Sequence, residues 1–500
     1  MRADAPESNE PGNAAAEEAQ PLSDAAQSRR GFVRELSLFD ATMVVAGSMI
    51  GSGIFIVSAD IARQVGSPFW LLMVWVATGA LTVGAALASG ELAAMFPHAG
   101  GQYVYLREAF GPLVGFLYGW TLFLVIQTGT IAAVAVAFAK FLGVIVPWIS
   151  PAHRLVPIVL GSLDLSITSQ RLVAILVIVF LTWLNTRGIK TAKWTQNLFT
   201  ATKIAALALL AGIALLGRRD PAAVAANFAP GRFFGEGGFH VAFLMTFGAA
   251  MVGSLFSSDA WNNIAFAGEE VKDPHRNLPR SMALGTGIVT VLYCLANLAY
   301  LNLLPLHGSV TGSGPMERGI QFALEDRVGT AAVQMLFGSA GGAIMALFVI
   351  ISTFGCENGL ILSGPRLYYA MARDGLFFRS AGNLSRNAVP AWGLVLQGVW
   401  ACLLTLSGRY GDLLDYIILA AVLFYAATVA GLFALRIRRP DLPRPYRVPG
   451  YPILPALYIA ASVAIMIDLL IVKPAYTWPG LLIVVSGIPI YFLWRRQPVA

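Results

Sequence analysis

The sequence predicts an all-α membrane protein of about twelve transmembrane helices. Three observations carry that reading. The first is composition: 57% of the 500 residues are hydrophobic and 12% are charged, where a soluble chain carries roughly 25% charge. The second is a succession of apolar runs, near 37–64, 69–95, 112–142, 170–187, 196–217, 240–268, 278–304, 334–370, 390–407, 411–436, 452–472 and 478–494. Each meets the roughly 17–25 residues that a helix needs to cross a bilayer. The third is the distribution of lysine and arginine. With the N-terminus inside, the cytoplasmic connections carry roughly twice as many as the outer ones, which orients the chain. The inside set includes Arg187, Lys190 and Lys193, Lys272, Arg276 and Arg280, Arg366 to Arg386, and the run Arg436 to Arg447. Both termini are expected in the cytoplasm, and the plasma (cell inner) membrane is the expected location.

Residues 1–30 are rich in Ala, Glu, Asp, Pro and Ser. They read as a disordered cytoplasmic tail, because they hold too little apolar surface to offset the entropy of ordering. The tail lacks the apolar core of a secretion signal. The net charge of +7 does not point to nucleic acid, since the basic residues lie in short loops between apolar runs. The three cysteines, Cys294, Cys356 and Cys402, fall inside apolar segments and read as small buried hydrophobes. No loop cysteine is left for a disulfide-linked heavy subunit.

The first run is interrupted by Gly47-Ser-Met-Ile-Gly-Ser-Gly-Ile-Phe55. Glycine at this density weakens a helix. In lipid a broken backbone survives only when buried in protein or lining a wet cavity. The alternative is close helix packing, since Gly47 and Gly51 form a small-xxx-small face. The sixth run carries a second polar interruption, Phe256-Ser-Ser-Asp-Ala-Trp-Asn-Asn263. Five spans separate the two, so the second half starts from the opposite side of the membrane. The expected organisation is therefore one repeat over 37–217, an inverted repeat over 240–437, and two added spans over 452–495. Interrupted spans in corresponding positions of inverted halves point to a transport site near the midplane.

Several stretches resemble the amino acid–polyamine–organocation (APC) superfamily, most closely its L-type amino acid transporter branch. They are Phe39 through Gly51-Ser-Gly-Ile-Phe55; Gly90-Glu-Leu-Ala-Ala-Met-Phe-Pro97 into Ala99-Gly-Gly-Gln-Tyr-Val-Tyr-Leu-Arg-Glu-Ala-Phe-Gly111; Gln196-Asn197 with Lys203; Trp261-Asn262 into Gly268-Glu-Glu-Val-Lys-Asp-Pro274; Asn358-Gly359 into Gly364-Pro-Arg366; and Pro445-Tyr-Arg-Val-Pro-Gly-Tyr-Pro452. The resemblance implies a five-plus-five inverted repeat (a LeuT-type fold) with helices 1 and 6 broken. It implies a sodium-independent amino acid transporter, exchanger or uniporter, working by alternating access.

By the same resemblance the substrate carboxylate meets N–H groups around Ser52 and Gly53, within a site formed by Met49, Ile50, Gly51, Ser52, Gly53 and Ile54. The substrate ammonium meets the carbonyl of Met49 and carbonyls near Phe256 and Asp259, in a site that also takes in Ser257 and Asn262. Phe256 is the expected aromatic gate. Asp259 stands where the family more often has a small residue, and is expected to pair with a cationic substrate side chain. Lys203 is expected to hold the position of the ion in sodium-coupled relatives, tying the first span to the eighth. Glu357 is a second departure. It is expected to pair with Lys203, the alternative being a titrating group that couples transport to protons. Glu91, Arg107, Arg366 and Arg373 read as structural or gating residues.

Three other classes fit less well. A proton-coupled amino acid or polyamine symporter is the alternative within transport. A transporter-like sensor would need a signalling domain, and the tail is short. A membrane-embedded enzyme finds no metal-spaced histidines, because His98, His153, His240, His275 and His307 are scattered in or near loops. No phosphate-binding glycine loop calls for a nucleotide. The partners expected are an amino acid and the bilayer, with no cofactor.

Overall fold

Helices begin where side chains satisfy the backbone donors that the first turn leaves over. The computed structural model describes residues 32–160, 163–235, 241–407 and 410–495; the predicted tail lies outside them. Helix α1 (Leu38–Met49) opens on a capping box between Ser37 and Asp40, which pairs two otherwise orphan N–H groups. Helix α2 (Ser58–Val65) follows the first break and ends on Gly66 at φ +63°. Helix α3 (Pro68–Met95) starts with Ser67 as its cap and Pro68 in the first turn, where a missing N–H costs nothing.

The short helix α4 (Gln102–Phe110) leads into the long span α5 (Pro112–Ile145). Then come α6 (Ser169–Thr186), α7 (Ile189–Gly212), α8 (Val241–Ser257) and the four-residue α9 (Asn263–Phe266). The chain continues with α10 (Pro274–Leu303), α11 (Ala340–Arg373), α12 (Ala391–Ser407) and α13 (Tyr410–Arg438). The last two spans are α14 (Ile453–Val472) and α15 (Pro474–Arg495).

Among the described residues nine helices are long and apolar enough to cross a membrane. With the two broken spans and α12 they account for the predicted runs. Helix α3 packs along α10, and α5 along α11.

Three elements were not legible in the runs. The run over 334–370 is two helices, Val328–Phe337 and α11, because Gly338 adopts φ +62° and turns the chain between them. The motif after Pro97 is helical in α4. A small antiparallel hairpin pairs Arg154–Val156 with Ile167–Thr168 between α5 and α6.

Ion pairs fasten the loops that carry the Glu91, Arg107 and Arg366 motifs. Arg436 clamps Glu91 with two bonds of 2.9 and 2.6 Å, and the Val448 N–H donates to the same carboxylate at 2.7 Å. Arg107 and Tyr103 both hold Asp374. Arg366 meets Glu270 with bonds of 2.5 and 3.2 Å, both side chains almost wholly buried. The segment before α1 joins this layer. The Glu35 and Leu36 N–H groups donate to Glu270 O at 2.9 Å, and the Lys272 N–H donates to Leu36 O at 2.8 Å.

Candidate functional site

Both predicted interruptions are real breaks in the helical backbone, and they touch. Helix α1 stops at Met49, Ile50 is extended at φ −74°, ψ 92°, and a single 3₁₀ turn over Gly53–Phe55 precedes α2. Helix α8 stops at Ser257, and Ala260 takes φ +67° before α9 begins. Gly53 lies against Ser257: a Cβ on Gly53 would fall 2.0 Å from the Ser257 Oγ. The packing reading of Gly47 holds as well, since its Cβ would fall 2.1 Å from both Gln196 and Thr200 of α7.

Unwinding frees backbone groups that must find partners. Most carbonyls of the first break are met by side chains from other spans. Lys203 on α7 donates to Gly47 O at 2.5 Å, to Ile50 O at 2.7 Å and to Ser352 O at 3.2 Å. Its three ammonium protons therefore have three carbonyl partners drawn from α1, the break and α11. The Ser352 hydroxyl lies 3.1 Å from both Ile50 O and Gly51 O. The Cys356 thiol donates to Ser48 O at 2.9 Å, and Tyr300 donates to Ile54 O at 3.3 Å. The N–H groups of Gly51 and Gly53 make no backbone hydrogen bond among the described residues. They remain as donors for an anionic group. Ser52 is buried beside them.

Tyr293 of α10 links the two breaks. Its hydroxyl lies 3.0 Å from Met49 O and 3.0 Å from Ser257 O. One phenolic proton serves one of these at a time, so the other carbonyl stays available to a second donor.

At the second break Tyr425 of α13 donates to Asp259. Asn262 donates to Gln102 at 2.7 Å, and Gln102 in turn to Phe424 O at 2.9 Å. A cavity of about 30 Å³ reaches Asp259 between α3, α13 and α14, bounded by Leu81, Thr82, Tyr425 and Tyr458. That is room for a water or two. An amino acid side chain entering from the breaks would have to widen it. Phe256 is buried at the end of α8.

The expected Glu357–Lys203 pair does not form. Glu357 is 1% exposed, and neither carboxyl oxygen has a hydrogen-bond partner. Helix geometry gives the reason. Ser352 and Cys356 are four residues apart and share the face of α11 turned to the first break. Glu357 is five residues beyond Ser352, about 140° around a helix that turns 100° per residue. The lysine is already saturated by carbonyls on the other face.

Several contributors were missed in the sequence. Tyr293, Tyr300, Ser352 and Tyr425 are single polar tips within apolar segments, and nothing in their spacing marks them. Cys356 was read only as a small buried hydrophobe, and Gln102 lies inside the motif 99–111 without having been given a role.

Comparison with known proteins identifies the family. The family model for amino acid permeases matches residues 36–492. The chain is 29% identical over 469 residues to the b(0,+)-type amino acid transporter 1 of Mus musculus, covering 92% of this chain and 88% of the relative. It is 30% identical over 480 residues to the large neutral amino acids transporter small subunit 2 of Mus musculus, covering 93% and 82%. It is 29% identical over 470 residues to the serine/threonine exchanger SteT of Bacillus subtilis, covering 93% and 98%. A match that runs from the segment before α1 into α15 takes in both breaks and every span between them: the chain belongs to the amino acid permease family.

Proposed function

We propose that this protein moves single amino acids across the plasma membrane by alternating access, without sodium, as an exchanger or uniporter with both termini cytoplasmic. The observation that carries the reading is the Lys203 ammonium, which donates to Gly47 O, Ile50 O and Ser352 O. Carbonyls freed at a broken helix are the groups that hold Na⁺ in coupled transporters. A tethered ammonium takes those lone pairs permanently, so no free cation is needed to close the first span on the eighth. The free N–H groups of Gly51 and Gly53 suit a carboxylate, and the carbonyl that Tyr293 leaves unbonded suits an ammonium.

The purified protein in sodium-free proteoliposomes provides the test. Entry of labelled alanine, leucine and arginine should proceed with amino acid inside the vesicles, and adding sodium at fixed membrane potential should not raise it. Uptake that climbs steeply with sodium refutes the reading. Asp259 gives a sharper outcome in the same assay. On this reading its carboxylate, held by Tyr425, meets a cationic side chain once the small cavity beside it widens. Asp259→Asn should lower the arginine-to-leucine uptake ratio about tenfold, the 1–2 kcal/mol scale of one charge-assisted contact.

One observation favours proton coupling as a second reading: the unbonded carboxyl of Glu357. Intramembrane acids of this kind commonly carry protons. On this reading an inward proton gradient drives uptake into empty vesicles, and Glu357→Gln abolishes that drive while leaving exchange between loaded vesicles within about twofold. Gradient-driven uptake that survives the substitution removes Glu357 from the coupling.

Family membership does not bring a partner subunit with it. One relative is named as a small subunit. For this chain we propose no disulfide-linked partner, since Cys294, Cys356 and Cys402 lie within α10, α11 and α12.

A further inference from the structure

A wider groove adjoins the cavity at Asp259 and shares Leu81, Tyr458 and Ile465 with it. It runs between α3, α8 and α14 and encloses about 880 Å³. Its floor is made of small residues, among them Ala77, Gly84 and Gly248. Its rim carries exposed apolar side chains such as Leu457, Ile467 and Ile471, so it opens sideways to the acyl chains of the bilayer. From Leu454 to Ile471 it follows α14 for about 25 Å at 1.5 Å per residue. That is close to the ~30 Å of a hydrocarbon core.

One residue does not belong in such a groove. Asp468 lines it, is 8% exposed, and bonds with neither carboxyl oxygen among the described residues. The opposing helix is shaped around it: a Cβ on Gly248 of α8 would fall 2.5 Å from the Asp468 Oδ2. A buried carboxylate with no donor is costly, and none of the described residues supplies one. Asp468 is four residues from the end of α14 at Val472, about 6 Å along the axis. That end is the one away from the basic loop 436–447, and it places the carboxylate just below headgroup depth.

We propose that this groove binds an aminophospholipid, its primary ammonium on Asp468 and one acyl chain along the small-residue floor. A primary ammonium brings both opposite charge and N–H donors to the two unbonded oxygens. A quaternary ammonium brings charge without donors, and an anionic headgroup is repelled. The choice of phosphatidylethanolamine over phosphatidylcholine follows from that difference. The lipid would wedge against α8, the first half of the broken sixth span, and so stands where it can bias the motion of that break.

Native mass spectrometry of the full chain in detergent reads this directly, independent of any transport assay. After delipidation and addition of equimolar phosphatidylethanolamine and phosphatidylcholine, the wild type should retain one phosphatidylethanolamine per chain, at least tenfold over phosphatidylcholine. Asp468→Leu removes charge and acceptors from an apolar groove and should lose that preference at unchanged melting temperature. Ala464→Phe keeps the carboxylate but fills the groove, and should lose retention of both lipids. Equal retention of the two lipids by the wild type, a preference that persists in Asp468→Leu, or retention of a sterol or free amine in their place would each overturn the proposal.

Discussion

Lys203→Met should abolish exchange, lowering initial rates at least 100-fold in sodium-free proteoliposomes. The substitution keeps the aliphatic stem that packs beside Leu207 and Met345 and removes the ammonium alone. Gly47 O then loses its lysine partner at the last turn of α1, Ile50 O keeps only the Ser352 hydroxyl, and the first span is no longer tied to the eighth. Each buried carbonyl left short of a donor costs about 1–3 kcal/mol. The loss falls on the break itself, whose geometry must hold for Gly51 and Gly53 to present their N–H groups. Lys203→Arg should fail nearly as badly. A planar guanidinium cannot direct three donors at carbonyls that converge on one tetrahedral point. Melting temperatures of the two variants separate loss of the site from loss of the fold. Full exchange by Lys203→Met would show that the lysine only packs.

What the sequence disclosed about this site follows from the kind of signal each residue leaves. Gly47 to Phe55 and Phe256 to Asn263 stand out because polar and small residues are anomalous inside a 20-residue apolar run. Both proved to be breaks. Lys203 stands out for the same reason, since a charge at that depth needs an explanation. Tyr293 leaves no such trace. A tyrosine in an apolar helix is unremarkable until the fold brings its hydroxyl between Met49 O and Ser257 O. Glu357 shows the limit from the other side. Its anomaly was visible, but its partner was assigned by which spans are neighbours, and neighbouring spans do not fix which face of α11 a residue occupies. Rotational position on a long helix is set by the packing of the whole face, and α11 is apolar nearly all round. The starts of α1 and α3 fall within a residue of the apolar runs predicted from 37 and 69. Gly338 marks its turn only through its backbone angle, and the two helices it separates read as one run.

Breaking the Glu270–Arg366 pair should be the most destabilising polar change in the protein. Both side chains are within 2% of full burial, and the guanidinium meets the carboxylate through two nitrogens. The same arginine donates to Leu362 O one turn back along α11, and its guanidinium lies 5.9 Å from the Phe32 ring. Removing one member of a buried pair leaves the other charge without compensation, a cost of about 3–5 kcal/mol. Glu270→Ala and Arg366→Ala should therefore each lower the melting temperature in detergent by well over the effect of an exposed pair such as Arg63–Asp326, where about 0–1 kcal/mol is at stake. The double variant should melt above either single one, because no orphan charge remains, and a thermal-shift cycle of the four proteins measures that coupling. Purely additive losses would show that the two residues act separately. The pair also has a consequence for motion. Glu270 follows the short helix of the sixth-span break, its carbonyl accepts the Glu35 and Leu36 N–H groups, and Arg366 belongs to the rigid α11. One carboxylate and its own backbone thus join the segment before the first broken span, the end of the second broken span, and the scaffold. Loss of the pair should therefore reduce stability and exchange together.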